Sequence, residues 1–502
     1  MQQNDPVHQE IARIRKLLES NLMTLVEERL VSLVEQYPDR QDVAMLQADC
    51  LMEWSDFRRS KAIIDKWLKE EPESLPLLKG LVRCCGGLAE PDLLLEATDR
   101  LSRIRPGHPE GLVASTDALE RAGRLDDAEE MLDRLESGTT VPVGELMRKL
   151  RIPYLRTRIK MGRKDYEGAI ETLKQMFVDV PEDSLASNMD AQYIECLFLL
   201  AKCCNKMGDY DTAWEASVKA HEIDGRQFNA DVYEKSLEDM RRVFSPEMAG
   251  KLARADEVDL EPLVILGNPR SGTTLLDTIL GMHSEVAQGG ELSAGRFLHQ
   301  ALPRLTDSYL QFPMSLIDVT VKDANGLGRI YEECTAGITD GQRYLSNKAL
   351  SMHIQLGMLA MAMPKMRVID LHRHPLDNCV SCFTMNLLIS GHAYTNSLES
   401  LGRVWVARRK MQEYWPTVLD IPFLKVHYED MVSDQENQTR RILDFLDVPF
   451  DDACLNFHEA DKTAATLSYD QVSQKMYTTS KGRWRNYEKH LGPLIDILEP
   501  YL

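Results

Sequence analysis

The stretch Gly267-Asn268-Pro269-Arg270-Ser271-Gly272-Thr273-Thr274 follows a short apolar run, Pro262 to Leu266, and leads into the helical pattern Leu275-Leu276-Asp277-Thr278-Ile279-Leu280. A strand, a tight glycine-containing loop and a helix start in succession leave little choice of local fold. The first N–H groups of such a helix have no intrahelical partner and point at whatever sits before them, so the unit makes an anion site, with phosphate as its default guest. The spacing Gly267 to Gly272 fits the first part of the loop G-x-x-x-x-G-K-[ST], but Thr273 stands where that loop carries lysine. The cradle is that of a nucleotide fold without the lysine of the nucleoside triphosphatases.

The chain around this loop has 502 residues, which predicts two to four domains. From about residue 10 to about residue 245 it reads as helix after helix with almost no strand-like alternation. These helices repeat. A small residue stands a few positions after a turn, with Pro or Gly twelve residues beyond it, at Ser60 and Pro72, Ala97 and Pro109, Ala169 and Pro181, and Ala213 and Gly225, while Ala128 lacks the distal residue. Turns of matching offset, Ser55-Asp56-Phe57, Gly123-Arg124-Leu125 and Gly208-Asp209-Tyr210, precede three of the small residues, and Leu25 to Pro38 reads as a degenerate first copy. The pattern resembles the tetratricopeptide repeat, in which a small residue lets two antiparallel helices approach closely. It implies a curved scaffold whose concave face holds a peptide, the substrate or a second subunit, and the sequence leaves these three open.

After Lys251-Leu252-Ala253-Arg254 the pattern changes to short β-rich runs alternating with helical ones: Val264 to Leu266, Met366 to Leu371, and Phe423 to His427. This predicts a parallel sheet with crossover helices and a ligand site at the carboxyl ends of its strands, where Arg270 and Lys348 converge. The expected fold is therefore α plus α/β, a helical solenoid over residues 1–250 followed by a P-loop-like α/β domain over 251–502.

Composition narrows the function. A formal net charge of −20 argues against a general nucleic-acid binder, which needs a basic footprint. Met1 to Pro6 lack a basic segment followed by an apolar one, and no window approaches about 18 uninterrupted apolar residues, so the expectation is a cytoplasmic chain without membrane attachment. The ten cysteines are expected to be reduced, with Cys379-Val380-Ser381-Cys382 as part of a packed helix rather than a redox or metal pair.

Pro269-Arg270-Ser271-Gly272-Thr273-Thr274 resembles the 5′-phosphosulfate loop of sulfotransferases, enzymes that use 3′-phosphoadenosine 5′-phosphosulfate (PAPS), and its form is closest to the tyrosylprotein class. The likeness runs from Leu263 to the end of the chain. Val368 to Ser381 is similar to the family's 3′-phosphate segment, in which Arg373 offers a planar fork of donors and Ser381 a hydroxyl to one dianion. Tyr344-Leu345-Ser346-Asn347-Lys348 resembles the strand end that supplies the family's catalytic lysine. Tyr428 corresponds to a tyrosine near the nucleotide, and Tyr477 to Leu491, with Ser480, Lys481 and Gly482, resembles the C-terminal segment that covers the cofactor. Both halves together are similar to sulfotransferases fused to tetratricopeptide repeats.

The resemblance implies a sulfonate transfer from PAPS to a hydroxyl acceptor, such as a tyrosine of a peptide or protein, leaving adenosine 3′,5′-bisphosphate and needing no metal. Gly267, Arg270, Ser271, Gly272, Thr273 and Thr274 form the cradle, with Arg270 and Lys348 on the bridging and 5′-phosphate oxygens. Glu291, in Gln288-Gly289-Gly290-Glu291, takes the place of the tyrosylprotein enzymes' catalytic glutamate, with His283, His299 and His353 as rival bases. Leu292, Ser293 and Ala294 lack the arginine that helps those enzymes hold acidic peptides, and Arg296 is the nearest substitute. Two other readings stay open at this level: a P-loop kinase or NTPase, and a tetratricopeptide scaffold carrying a degenerate nucleotide domain.

Overall fold

The computed structural model of the chain describes residues 5–19, 23–88, 90–185, 190–387, 392–459 and 480–502. Tyr477, Thr478 and Thr479, at the head of the expected covering segment, lie outside the described residues. The chain divides into two compact units, Met1–Gly168 and Ala169–Leu502. The change from helices to sheet falls within the second unit, between the helix Ala230–Val243 and the strand Glu261–Leu266.

The first unit is built of helical hairpins, among them Gln41–Glu53 with Phe57–Leu68 and Pro109–Arg121 with Leu125–Ser137. One turn closes them. Ser55 (φ 62°) and Gly123 (φ 72°) take the left-handed conformation, and the following residue's N–H reaches back to the preceding helix, Asp56 to the Leu51 carbonyl at 2.8 Å and Arg124 to the Leu119 carbonyl at 2.9 Å. Lys164 (φ 63°) repeats the turn, with Asp165 donating to the Lys160 carbonyl at 2.9 Å. A residue other than glycine costs about 1 kcal/mol there, which Ser55 and Lys164 bear, so glycine does not mark the position in every turn. The small residues expected at the crossings, Ser60, Ala97 and Ala128, are fully buried, and Ser60 Oγ donates to the Ala48 carbonyl of the facing helix at 2.9 Å.

In the second unit Ala169 and Ala213 are equally buried. The helices Asp190–Met207 and Tyr210–Asp224 are joined by the same turn, Gly208 (φ 81°) with Asp209 N–H on the Cys204 carbonyl at 2.9 Å. Gly225 ends the second helix in the left-handed conformation. These are tetratricopeptide-like repeats, and they do not stop at the edge of the sheet domain. Helix Ala230–Val243 sends Leu237, Met240, Val243 and then Phe244 into one core with Val264, Leu266, Val368, Leu298 and Trp415.

The sheet has five parallel strands, β1 Glu261–Leu266, β2 Val286–Ala287, β3 Tyr344–Asn347, β4 Arg367–His372 and β5 Phe423–His427, in the order β2-β3-β1-β4-β5. The register pairs Glu261 with Tyr344 and Leu263 with Arg367. Helices cover both faces, which explains the unbroken apolar run of β1. Val264 and Leu266 point to the core just described, while Leu263 and Ile265 point to a second one with Ile369, Leu371, Leu276, Ile279 and Leu443. The chain runs from β1 out to β2 and β3 on one side and returns to β4 and β5 on the other. The strand order thus reverses around β1, and its carboxyl end opens on the crevice where such sheets bind ligands. Among the described residues no helix is long and apolar enough to cross a membrane.

Candidate active site

The loop after β1 is folded back tightly on itself. A side chain on Gly267 would meet Ser271 Oγ at 2.6 Å and the Thr273 methyl at 2.8 Å, and one on Gly272 would meet the Tyr428 ring at 2.5 Å. Gly272 (φ 100°) begins the helix Thr273–Leu280, with Thr273 and Thr274 buried in its first turn, and Arg270 (φ 66°) takes the left-handed conformation. The helix Pro375–Phe383, which follows β4, holds the loop from behind. Asn378 Nδ2 donates to the Pro269 carbonyl at 2.7 Å and the Cys382 thiol to the same oxygen at 3.3 Å. Burial pushes the Cys382 thiol up to about 12 and raises Cys379 as well, so both stay thiols, and Cys382 donates.

Residues expected at a phosphate come together here. Arg270 Nε lies 3.2 Å from Ser381 Oγ. Arg373 donates to the Arg270 carbonyl at 2.7 Å and to the Ser480 carbonyl at 3.0 Å, and its guanidinium lies over the Tyr428 ring at 4.6 Å. Tyr428 Oη and Ser480 Oγ are 2.7 Å apart. Two buried polar atoms among these groups, Ser271 Oγ and Arg373 Nε, have no hydrogen-bond partner among the described residues. Buried donors are seldom left so, and an anionic phosphate oxygen fits them chemically. The Gly482 N–H is engaged within the protein: it donates to Asp377 Oδ2 at 2.6 Å, and Trp484 N–H donates to Asp377 Oδ1 at 2.9 Å. Lys481 is exposed beside them.

At the end of β3, Lys348 is buried and its Nζ lies 3.0 Å from Glu291 Oε1. The turn that carries Glu291 is docked on this strand end. Lys348 N–H donates to the Gly290 carbonyl at 2.9 Å and Gly289 N–H to Ser346 Oγ at 3.0 Å. Gly289 permits the approach, since a side chain there would stand 2.2 Å from the Ser346 carbonyl. The Ser346 hydroxyl in turn donates to Asp277 Oδ1 at 2.5 Å, and Gln288 Nε2 approaches Asp277 Oδ2 at 3.3 Å. Burial raises Asp277 above the ordinary carboxylate range against the opposing pull of the Lys348 charge.

The three rival histidines differ in their surroundings. His283 uses both ring nitrogens locally, Nε2 on the Pro449 carbonyl at 2.8 Å and Nδ1 with Glu285 N–H at 3.1 Å. His299 packs on Phe312 with ring centroids 4.5 Å apart, and burial holds His353 well below the usual imidazole range. Arg296 is exposed on the helix Ala294–Thr306 that follows Glu291.

Sequence reasoning saw Asp377 only as the acidic position of the segment that carries Arg373, and it missed Asp277, the part of Ser346 and a buried group at the end of β4. There Asp370 Oδ1 accepts from Gln412 Nε2 and Asp370 Oδ2 from His372 Nε2, both at 2.6 Å, with Arg409 against the other nitrogen of His372. Burial pushes Asp370 up to about 7. The available signal was a carboxylate among mostly apolar neighbours, at 277 in a wholly buried helix and at 370 in a strand buried from Val368 onward. Among the described residues no group of three or more His, Cys, Asp or Glu side chains could hold a metal ion.

The model of the family described as "Sulfotransferase family" matches residues 262–452, from β1 to beyond β5. This stretch is a sulfotransferase-family domain.

Relatives extend the likeness in two directions. An "Uncharacterized protein" of Aquifex aeolicus (strain VF5) is 26% identical over 423 residues, 82% of this chain and 53% of its own length, so the similarity includes the repeats as well as the sulfotransferase domain. "Protein-tyrosine sulfotransferase A" of Caenorhabditis elegans is 27% identical over 238 residues, 44% of this chain and 61% of its own length. The chain thus spans about half to three-fifths of the length of these curated relatives. Among solved structures, the sulfotransferase domain of the Synechococcus PCC 7002 olefin synthase covers 50% of this chain and 98% of its own, at 23% identity and a TM-score of 0.36. A tetratricopeptide repeat protein from Parabacteroides merdae ATCC 43184 covers 46% of this chain and 96% of its own, at 14% identity and a TM-score of 0.32.

Proposed function

We propose that the chain is a PAPS-dependent sulfotransferase that moves a sulfonate to a hydroxyl acceptor, with a tyrosine of a peptide or protein as the acceptor class and Glu291 as the base. The observation that carries this reading is the gathering of Arg270, Ser381 and Arg373 around the loop after β1, where Ser271 Oγ has no partner among the described residues, together with the Lys348–Glu291 pair at the end of the neighbouring strand β3. The names of the protein-tyrosine sulfotransferases among the relatives support the acceptor class.

PAPS supplies a sulfonate already activated on a phosphate leaving group. Glu291 takes the acceptor's hydroxyl proton as the new S–O bond forms, which its partial exposure beside Lys348 allows. Lys348 and Arg270 hold the negative charge that gathers on the leaving phosphate oxygen, and the N–H groups and hydroxyls at Ser271, Thr273 and Thr274 orient the 5′-phosphate. Arg373, Ser381, Tyr428 and Ser480 hold the 3′-phosphate end, covered by the segment through Lys481 and Gly482. The tetratricopeptide-like helices recruit the acceptor or a further protein, and the chain works in the cytoplasm.

Titration with adenosine 3′,5′-bisphosphate in the absence of metal, followed by labelled sulfonate transfer from PAPS to peptide, glycan and phenolic acceptors, tests the reading. Saturable binding and transfer to a peptide tyrosine are expected. Magnesium-dependent ATP binding with no response to the bisphosphate would overturn it.

A further inference from the structure

Two elements at the 3′-phosphate end of the crevice rest on the same helical hairpin, Asp190–Met207 with Tyr210–Asp224. The helix that carries Ser381 ends against it: His221 Nε2 donates to the Phe383 carbonyl at 2.9 Å, and the Trp214 indole stacks on the Phe383 ring at 4.6 Å. The segment beyond Gly482 does the same. Asn205 Oδ1 accepts from Arg483 Nε at 3.2 Å and from Tyr487 Oη at 2.7 Å, and Lys489 pairs with Asp211 at 2.6 Å. Arg483 joins the two elements, since its other guanidinium nitrogen donates to Thr384 Oγ1 at 3.1 Å, just past the Ser381 helix.

One amide oxygen on a repeat helix therefore anchors two side chains of the covering segment. Its hold passes along a short path. Arg483 lies between Gly482 and Trp484, whose N–H groups are fixed by Asp377, and Ser480, three residues before Arg483, meets Arg373 and Tyr428. A backbone fixed at both ends of so short a stretch keeps Ser480 and Arg373 in one arrangement before any ligand arrives, which lowers the ordering cost of binding.

We propose that Asn205 is a positioning residue of the nucleotide site, acting through Arg483 and Tyr487. The last repeat hairpin is then part of the binding machinery and not a separable recruitment module. The proposal rests on the reading of Arg373, Ser381 and Ser480 as the 3′-phosphate end of a PAPS site.

The test measures affinity of the full chain for adenosine 3′,5′-bisphosphate and for adenosine 5′-monophosphate, which lacks the 3′-phosphate, in the wild type, Asn205→Leu and Asn205→Asp. Losing two hydrogen bonds to one acceptor is expected to weaken the bisphosphate by about 10-fold and the monophosphate by less than about 2-fold. Asn205→Asp, which keeps an acceptor oxygen, is expected to restore the bisphosphate affinity. If Asn205→Leu does not fold, Tyr487→Phe removes one of the two donors while keeping the ring, and the same split between ligands is expected at about 3-fold. Unchanged bisphosphate affinity in the variant, or an equal loss for both ligands, overturns the proposal and leaves the sulfotransferase reading standing. A wild type that binds no bisphosphate overturns both.

Discussion

Lys348 Nζ lies 3.0 Å from Glu291 Oε1, with the lysine side chain 3% exposed and the glutamate 45%. The pair is asymmetric: the cation is fixed in the protein, whereas the carboxylate keeps a face toward solvent and any acceptor. Glu291→Gln is expected to leave bisphosphate affinity nearly unchanged while turnover falls by about 10²-fold or more, the scale of general-base loss. Calorimetry and a transfer assay on one preparation check both parts. An unaffected rate returns the role to a histidine or to the acceptor's own ionisation.

Arg373 makes two divergent hydrogen bonds, to the Arg270 and Ser480 carbonyls, and keeps Nε without a partner among the described residues. A planar fork can do all three at once and an ammonium cannot. Arg373→Ala and Arg373→Lys are therefore both expected to weaken bisphosphate binding, by about 10²-fold for alanine. Recovery of full affinity in the lysine variant would show that charge alone suffices.

Asp277 and Ser346 stand behind the turn that bears Glu291. Asp277→Asn and Ser346→Ala are each expected to lower turnover by about 10-fold with little change in bisphosphate affinity. Residues acting through one chain of hydrogen bonds couple, so the double variant is expected to be no worse than the more severe single one. Additive losses would mean the two act separately.

Asp370 supplies a pH dependence. Its carboxyl is held up to about 7 from an ordinary 3.8. Between those values the folded chain keeps a proton that the unfolded chain has released, so stability from this group falls as pH rises through that window and levels off above it. Asp370→Asn cannot titrate there. The unfolding free energy of the variant relative to wild type is expected to climb through the same window, by up to about 4 kcal/mol. Denaturant melts at several pH values check the slope, and parallel profiles for the two proteins would rule out Asp370 as its source.

The parallel sheet, the loop after β1 and the repeats were legible because their signals are local: apolar runs, glycine spacing and small residues at fixed offsets from a turn. Arg270, Arg373, Ser381 and Lys348 were legible for the same reason, each lying in a short stretch with a recognisable neighbourhood. Asp277, Ser346 and Asn205 were not. Their partners stand far away in sequence, Ser346 for Asp277 and Arg483 for Asn205, and only the strand order and the hairpin packing bring them together. β2 has two residues, too few for any alternation to register. Lys164 hid a repeat turn by taking the left-handed conformation that Gly123 and Gly208 take at the same place.

The position of β1 at the centre of the sheet bears on the order in which the chain folds. The repeat hairpins close on helices made just before them, whereas β1 gains its second neighbour only when Arg367–His372 has been synthesised. Helix Ala230–Val243 is finished long before, and its face of Leu237, Met240 and Val243 is covered by residues as late as Trp415 and Leu419. During translation a completed helical array therefore ends in an uncovered greasy surface, the condition under which partly made chains associate with one another. That hazard begins to subside once β4 has emerged and ends when the helix Leu398–Val418 closes over the sheet.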